Sequence, residues 1–298
     1  MLDLLQKYVK WLISPRDFET VRRSILRKLR WRSGESSKPV ISGDTFRHEC
    51  DFAVIGQVND GAQAFHKFQN LSGRLFVQAE PDSNATRILL DACSQGLTFP
   101  EVCLVIHNGD EIPNELEMEL LCKSFKSVYS INWLGDLGVA KPLPIGLENV
   151  GKLRNGVPGD YLNLINRGLP PLESRDIELL VCFSLWTNPL ERAQALLWSQ
   201  KIPGVLIIDR PITPRKYRKL LLRSKYVLSP PGNGPDCHRT WEALYLGATP
   251  VVHSAYWPFR DYDIPVITLN SWPELPDRLS SSALDGTDFW KEVSNWLA

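Results

Sequence analysis

Arg239 and Glu242 stand three residues apart, just after the stretch Gly232-Asn233-Gly234, and these residue types in this order suit phosphate chemistry. The surrounding run is KYVLSPPGNGPDCHRTWEALYLGATPVV, residues 225–252. An apolar, β-branched segment ends near 229, and a helix is predicted to open near 237. A helix start exposes unpaired backbone N–H groups and the positive end of the helix dipole. Gly232 and Gly234 would let backbone approach a ligand with no Cβ between them, with Asn233 between the two. Asp236 is placed to cap the helix. Arg239 then falls in the first turn, where its planar fork suits a pyrophosphate. Glu242 lies on the same face, and a carboxylate can accept from two ribose hydroxyls at once. The alternative is that Arg239 and Glu242 pair with each other on a helix surface. No Gly-Lys-Ser/Thr follows, and Cys237 occupies the place of a third glycine, so neither a Walker loop nor a dinucleotide fingerprint is present.

Other candidates carry less. Asp261-Tyr262-Asp263 spells an acidic D-x-D string, but it follows Trp-Pro-Phe-Arg and reads as a surface turn. His253 and Trp257 follow the TPVV segment, where Trp257 could stack on a ligand or cover the edge of the core. The five histidines show no paired spacing, and the six cysteines form no C-x-x-C. No metal cage or disulfide framework is therefore expected, and the cysteines read as buried thiols in a reducing compartment.

Elements of a particular kind must position these residues. Strands are predicted over 51–58, 73–80, 101–108 and 126–133, with a helix over 114–125. A second series begins near 175, with strands over 176–185, 204–209, 225–229, 249–254 and 264–270. Helices fall between them over 188–201, 213–224 and 237–246, and another closes the chain over 287–297. Such alternation predicts α/β architecture with parallel sheets covered on both faces. Ligands then gather at the carboxyl ends of the strands. The chain has 298 residues, enough for two domains of about 100–150 each. The predicted division is 1–45 as an amphipathic helical segment with a linker, 46–150 as one α/β domain, and 151–298 as another.

Lysines and arginines number 34, as do aspartates and glutamates, so the net charge is zero and nothing favours nucleic acid as a partner. No stretch approaches the roughly 20 apolar residues of a membrane span, and the N-terminus lacks a signal-peptide core, so a cytoplasmic location is expected. Residues 1–32 read as two amphipathic helical pieces, the second rich in arginine. They either lie on an anionic membrane surface, peripheral on its inner face, or pack on the protein with a solvated basic face.

The 225–252 run closely resembles the signature of exostosin-type glycosyltransferases and their bacterial relatives. In that signature an apolar strand enters Pro-x-Gly, followed by Arg, Trp-Glu-Ala-Leu, Gly and Pro-Val. CFSLWTNPLER (182–192), PLPIGLEN (142–149), YWPF (256–259) and IPVITLNSW (264–272) resemble further segments in order. The resemblance covers about 141–280, is fainter over 50–140 and is absent from 1–45. It implies a GT-B-like fold, with two Rossmann-like parallel-sheet domains facing a cleft. The activity it implies moves a sugar, with inversion, from a nucleoside-diphosphate donor, expected to be UDP-linked, to a saccharide or glycan acceptor. No other cofactor is required. Arg239 would hold the diphosphate and Glu242 the ribose, while Thr187, Asn188 and Arg192 would line the same cleft. The base would come from the N-terminal domain, with Asp110 the candidate and Glu80 the runner-up. His107 is either a donor contact or a satisfied strand-end histidine. A non-catalytic nucleotide- or glycan-binding protein on the same fold is the alternative.

Overall fold

The computed structural model describes residues 40–79, 83–110, 112–149 and 158–281. The helical pieces expected over 1–32, Glu80 and the helix expected over 287–297 lie outside these residues. Two five-stranded sheets carry the described chain, and every strand pairing in both is parallel. The chain is α/β.

The first sheet holds β1 (Phe52–Val54), β2 (Gly73–Gln78), β3 (Phe99–His107), β4 (Phe125–Ile131) and β5 (Ala140–Leu143), side by side in chain order. Helix α1 (Gly43–His48) precedes it. Helices α2 (Gln63–His66), α3 (Ala85–Ser94) and α4 (Glu115–Ser124) make the crossovers that parallel neighbours require. Asn114 caps α4 and Glu117 returns the bond to the Asn114 N–H, a reciprocal cap that fixes where the helix starts.

Helix α5 (Pro158–Asn166) leads into the second sheet. The chain then runs through β6 (Ile177–Val181), α6 (Pro189–Ser199), β7 (Val205–Ile207), α7 (Pro214–Leu221), β8 (Ser224–Leu228), α8 (His238–Tyr245), β9 (Thr249–His253), β10 (Ile267–Leu269) and α9 (Leu275–Ser281). The strand order is β10-β9-β8-β6-β7. The chain therefore leaves β6 to one side for β7 and returns on the other side at β8. The loops after β6 and β8 lead away in opposite directions at this reversal, where open parallel sheets usually place a ligand crevice. The first sheet has no such reversal.

The period-2 alternation of each strand divides the core. Leu75 and Val77 pack with Leu89 of α3 and Met118 of α4. Leu179 and Val251 pack with Ala195 of α6 and Leu275 of α9. The intervening residues Phe76, Val105, Leu180 and Val227 join one further cluster, with Trp241 and Tyr245 of α8, that draws on both halves of the chain. Val40 and Ile41, at the end of the segment expected to be a linker, are fully buried in that cluster. The Ile41 N–H donates to the Tyr245 hydroxyl at 2.7 Å, and the Ile41 carbonyl accepts from Leu147 N at 2.8 Å. Gly146 is required there. It has φ of 66°, and a Cβ would lie 2.1 Å from the Ile41 carbonyl oxygen.

All six cysteines are free, Cys93 buried and the others half-buried. Asp261, Tyr262 and Asp263 lie exposed in a turn, and no cluster of metal-ligating side chains occurs among the described residues.

Candidate functional site

At this crevice position Cys182, Phe183 and Ser184 follow β6, and Ser229 to Asp236 follow β8. Arg192 reaches it from α6 and Arg239 from the first turn of α8. The Arg192 guanidinium lies over the Phe183 ring at 5.6 Å, and that of Arg239 lies over the same ring at 5.3 Å. The aromatic face favours both cations. Backbone carbonyls orient them. Arg192 donates through Nε to Pro231 O at 2.9 Å and through Nη1 to Ser184 O. Arg239 donates to Cys182 O at 3.3 Å, Pro230 O at 3.4 Å and Ser229 Oγ at 3.5 Å. Neither forms an ion pair among the described residues. Burial, reinforced by the neighbouring Arg239 charge, lowers the Arg192 pKa to about 10, so Arg192 stays charged at neutral pH. Two close cations whose protein partners are all neutral form a cradle for a polyvalent anion. No side chain caps α8, whose start lies beside Arg239 in its first turn.

The loop after β8 is tight, with Gly232 N donating to Gly234 O at 2.9 Å. A Cβ on Gly232 would lie 2.9 Å from Nη2 of Arg192, so this glycine lets the guanidinium lie against the loop. A Cβ on Gly234 would lie 2.4 Å from Nδ2 of Asn132. The space the second glycine leaves is thus taken by a side chain of the first half of the chain. Asn132 follows β4, is buried with φ of 57°, and accepts from Asp236 N at 3.1 Å. Asn233 donates to Oδ2 of Asp110 at 3.0 Å, which brings the loop after β3 directly against the glycine loop. Asn188 Nδ2 reaches Gly232 O at 3.4 Å, and Thr187 is exposed beside it.

Asp236 differs from expectation. The N-cap of α8 is Cys237. The buried Asp236 carboxylate instead accepts from Trp241 Nε1 at 2.8 Å, from Cys237 N at 2.8 Å and, from the first half of the chain, from Ile145 N at 2.9 Å. Distant donors outcompete the local cap, and the residue pins the two halves together. Burial still pushes its pKa up to about 6 against those hydrogen bonds.

The structure gathers Asp110, Asn188, Arg192, Asn233 and Arg239 around the crevice. Glu242 points elsewhere. It is buried, and its Oε1 accepts from the Tyr161 hydroxyl of α5 at 2.8 Å. It makes no ion pair with Arg239, so the surface pairing weighed as an alternative is not formed. Desolvation raises its pKa.

His107 is a satisfied strand-end histidine. Its Nε2 donates to Pro144 O at 3.1 Å while Nδ1 accepts from Asn108 N at 2.8 Å, and burial lowers its pKa to about 4. Trp257 is core, packed against Phe259 with ring centroids 5.0 Å apart. His253 accepts from Ala255 N at 3.2 Å and meets Tyr256 and Trp272 edge-on.

Sequence reasoning missed Phe183 and Asn132. Phe183 reads as the tail of an apolar strand, and only its place immediately past β6, in a strand-end loop, hints at a platform. Nothing local marks Asn132.

No family model and no curated protein matches this sequence. Among the described residues no helix is long and apolar enough to cross a membrane.

Proposed function

We propose that this chain is a glycosyltransferase of the exostosin type and GT-B-like architecture, moving a sugar from a nucleoside-diphosphate donor to a saccharide or glycan acceptor. One observation carries the proposal: the Arg192 and Arg239 guanidiniums share the Phe183 ring at a strand-order reversal, with only neutral partners among the described residues. A diphosphate supplies the missing negative charge in a shape that guanidinium forks accept.

In this mechanism Arg239 and Arg192 bind the diphosphate, and the uncapped start of α8 adds backbone donors. As the bond from the anomeric carbon to the phosphate oxygen breaks, the leaving oxygen takes the electron pair, and the same cations stabilise it. The acceptor hydroxyl attacks from the opposite face, which inverts the anomeric centre. Its proton passes to Asp110, the carboxylate that approaches the glycine loop from the first half of the chain. The resemblance favours uridine as the base. Residues 1–32 would serve as a peripheral contact with an anionic inner membrane face, in a cytoplasmic enzyme.

The test is release of nucleoside diphosphate from a panel of nucleotide sugars, with and without mono- and oligosaccharide acceptors. Acceptor-dependent release that Arg239→Ala abolishes supports the proposal. Binding without turnover for every acceptor and donor would leave a nucleotide-binding protein in its place.

A further inference from the structure

We infer that the groove between α5 and α7 is a second anion site, separate from the arginine cradle, that takes the phosphate group of a small ester or of a lipid headgroup. The groove encloses about 480 Å³ and is lined by one face of each helix. From α5 and its end come Asp160, Asn163, Leu164 and Arg167, and from α7 and its end come Arg215, Arg218, Lys219 and Leu222. Both sets have the spacing i, i+3, i+4, i+7 that places side chains in a single stripe. When two helices lie side by side, facing stripes of this spacing are ordinarily apolar and close into a packed seam. Here they hold four cations and one carboxylate, and a cavity remains between them.

Among the described residues the groove carries more positive than negative side chains. Asp160 is the one acid among the described residues that line the groove, and Arg218 engages it at 2.6 Å. Arg218 is buried and lies over the Tyr161 ring, and its Nη1 is buried with no hydrogen-bond partner. A buried guanidinium nitrogen normally finds an oxygen, because leaving it without one is costly. Arg167, Arg215 and Lys219 are exposed and form no ion pair among the described residues. Three cations around a concave space, beside a buried guanidinium whose Nη1 lacks an acceptor, call for a compact anion with several oxygens. A tetrahedral phosphate supplies these, and guanidinium forks bind it in paired contacts. Leu164 and Leu222 give the groove apolar wall on which the carbon part of a phosphate ester can rest. The enclosed volume suits a small molecule or headgroup rather than a folded partner.

This inference does not depend on the nucleotide proposal, and its test keeps the two apart. Stabilisation by inorganic phosphate would be measured on the full chain for the wild type, R215Q/K219Q, R239A and K123Q/K126Q. The last variant removes the same charge from exposed lysines of the first half. Arg215 and Lys219 are exposed, and glutamine keeps helix propensity, so R215Q/K219Q should fold. The expected result is a phosphate response displaced at least about tenfold in concentration in R215Q/K219Q, the scale of one lost charge-assisted hydrogen bond. R239A should keep the groove component, and K123Q/K126Q should respond as the wild type does. A wild-type response in R215Q/K219Q, or an equal loss in K123Q/K126Q, would overturn the inference. Loss of response in R239A alone would overturn the groove and leave the nucleotide proposal standing. Sedimentation with phosphatidylcholine vesicles, with and without phosphatidic acid, identifies the source. A vesicle-binding defect confined to R215Q/K219Q assigns the groove to a lipid headgroup, and unchanged vesicle binding with a weakened phosphate response assigns it to a free phosphate ester.

Discussion

Acidification from pH 7 to pH 4 should cost the wild type stability that a His107→Gln protein does not lose. His107 is buried, with Nε2 committed to Pro144 O and Nδ1 to Asn108 N, so the folded protein holds it neutral. Burial lowers its pKa from 6.5 to about 4. Between those values the unfolded chain binds a proton that the folded chain does not, so stability rises with pH across this window and is lost as pH falls through it. At ~1.4 kcal/mol for each pH unit, the loss is about 3 kcal/mol by pH 4. Asp236 acts in the opposite sense. Its pKa is raised from 3.8 to about 6, so its contribution is lost as pH rises through that window, and the wild-type curve alone understates both effects. Comparison with His107→Gln isolates the histidine, because every other group is common to the two proteins. The assay is urea denaturation at several pH values, reading the midpoint with the slope checked for constancy. His107→Gln will lower stability at pH 7, but the diagnostic is how the gap changes: it should narrow by about 3 kcal/mol on acidification. Parallel profiles would show that His107 is not held neutral, and would refute the argument from its burial and partners.

Gly234→Ala should destabilise by ~1–3 kcal/mol, because its Cβ would meet the buried Asn132 amide. Asn132→Gly, which suits the positive φ, should recover part of that loss in the double variant, and strict additivity in urea midpoints would show that the two sites do not touch. Tyr161→Phe removes the hydroxyl that donates to the buried Glu242 and should cost ~1–3 kcal/mol at neutral pH. An unchanged melting temperature would mean that water already serves that carboxylate. Asp110→Asn should lower transfer by at least ~100-fold while leaving donor binding within a few-fold of wild type. Unchanged turnover in that variant would move the base elsewhere.

The alternation of apolar segments made both parallel sheets legible, since strands buried on two faces read as continuous apolar runs. Strand β5 and the helices α1, α2, α3, α5 and α9 were not. Strand β5 contains Pro142, which argues against a strand until its position at the sheet edge is known, where a missing N–H is tolerated. Helix α3 spans only Ala85–Ser94, short enough to be lost beside its stronger neighbours. The site divides in the same way. Arg239 was visible because glycines, a helix start and an arginine lie close together in sequence. Phe183 and Asn132 were not, because their partners come from more than one element. Asp236 shows why local rules fail there: a capping position is a preference of about 1 kcal/mol, and donors from Trp241 and Ile145 outweigh it. Glu242 follows the same logic, since its spacing from Arg239 fixes a helix face but not the presence of Tyr161 on a helix far away in sequence.

The most direct measurement is thermal stabilisation by a panel of nucleoside diphosphates and nucleotide sugars, for the wild type and for Arg239→Ala. A ligand present at ~100 times its dissociation constant should stabilise the folded protein by about 2.7 kcal/mol. A cradle built by Arg192, Arg239 and Phe183 predicts that at least one diphosphate raises the wild-type melting temperature and that Arg239→Ala abolishes the shift. No response to any nucleotide, or an equal response in both proteins, would contradict it.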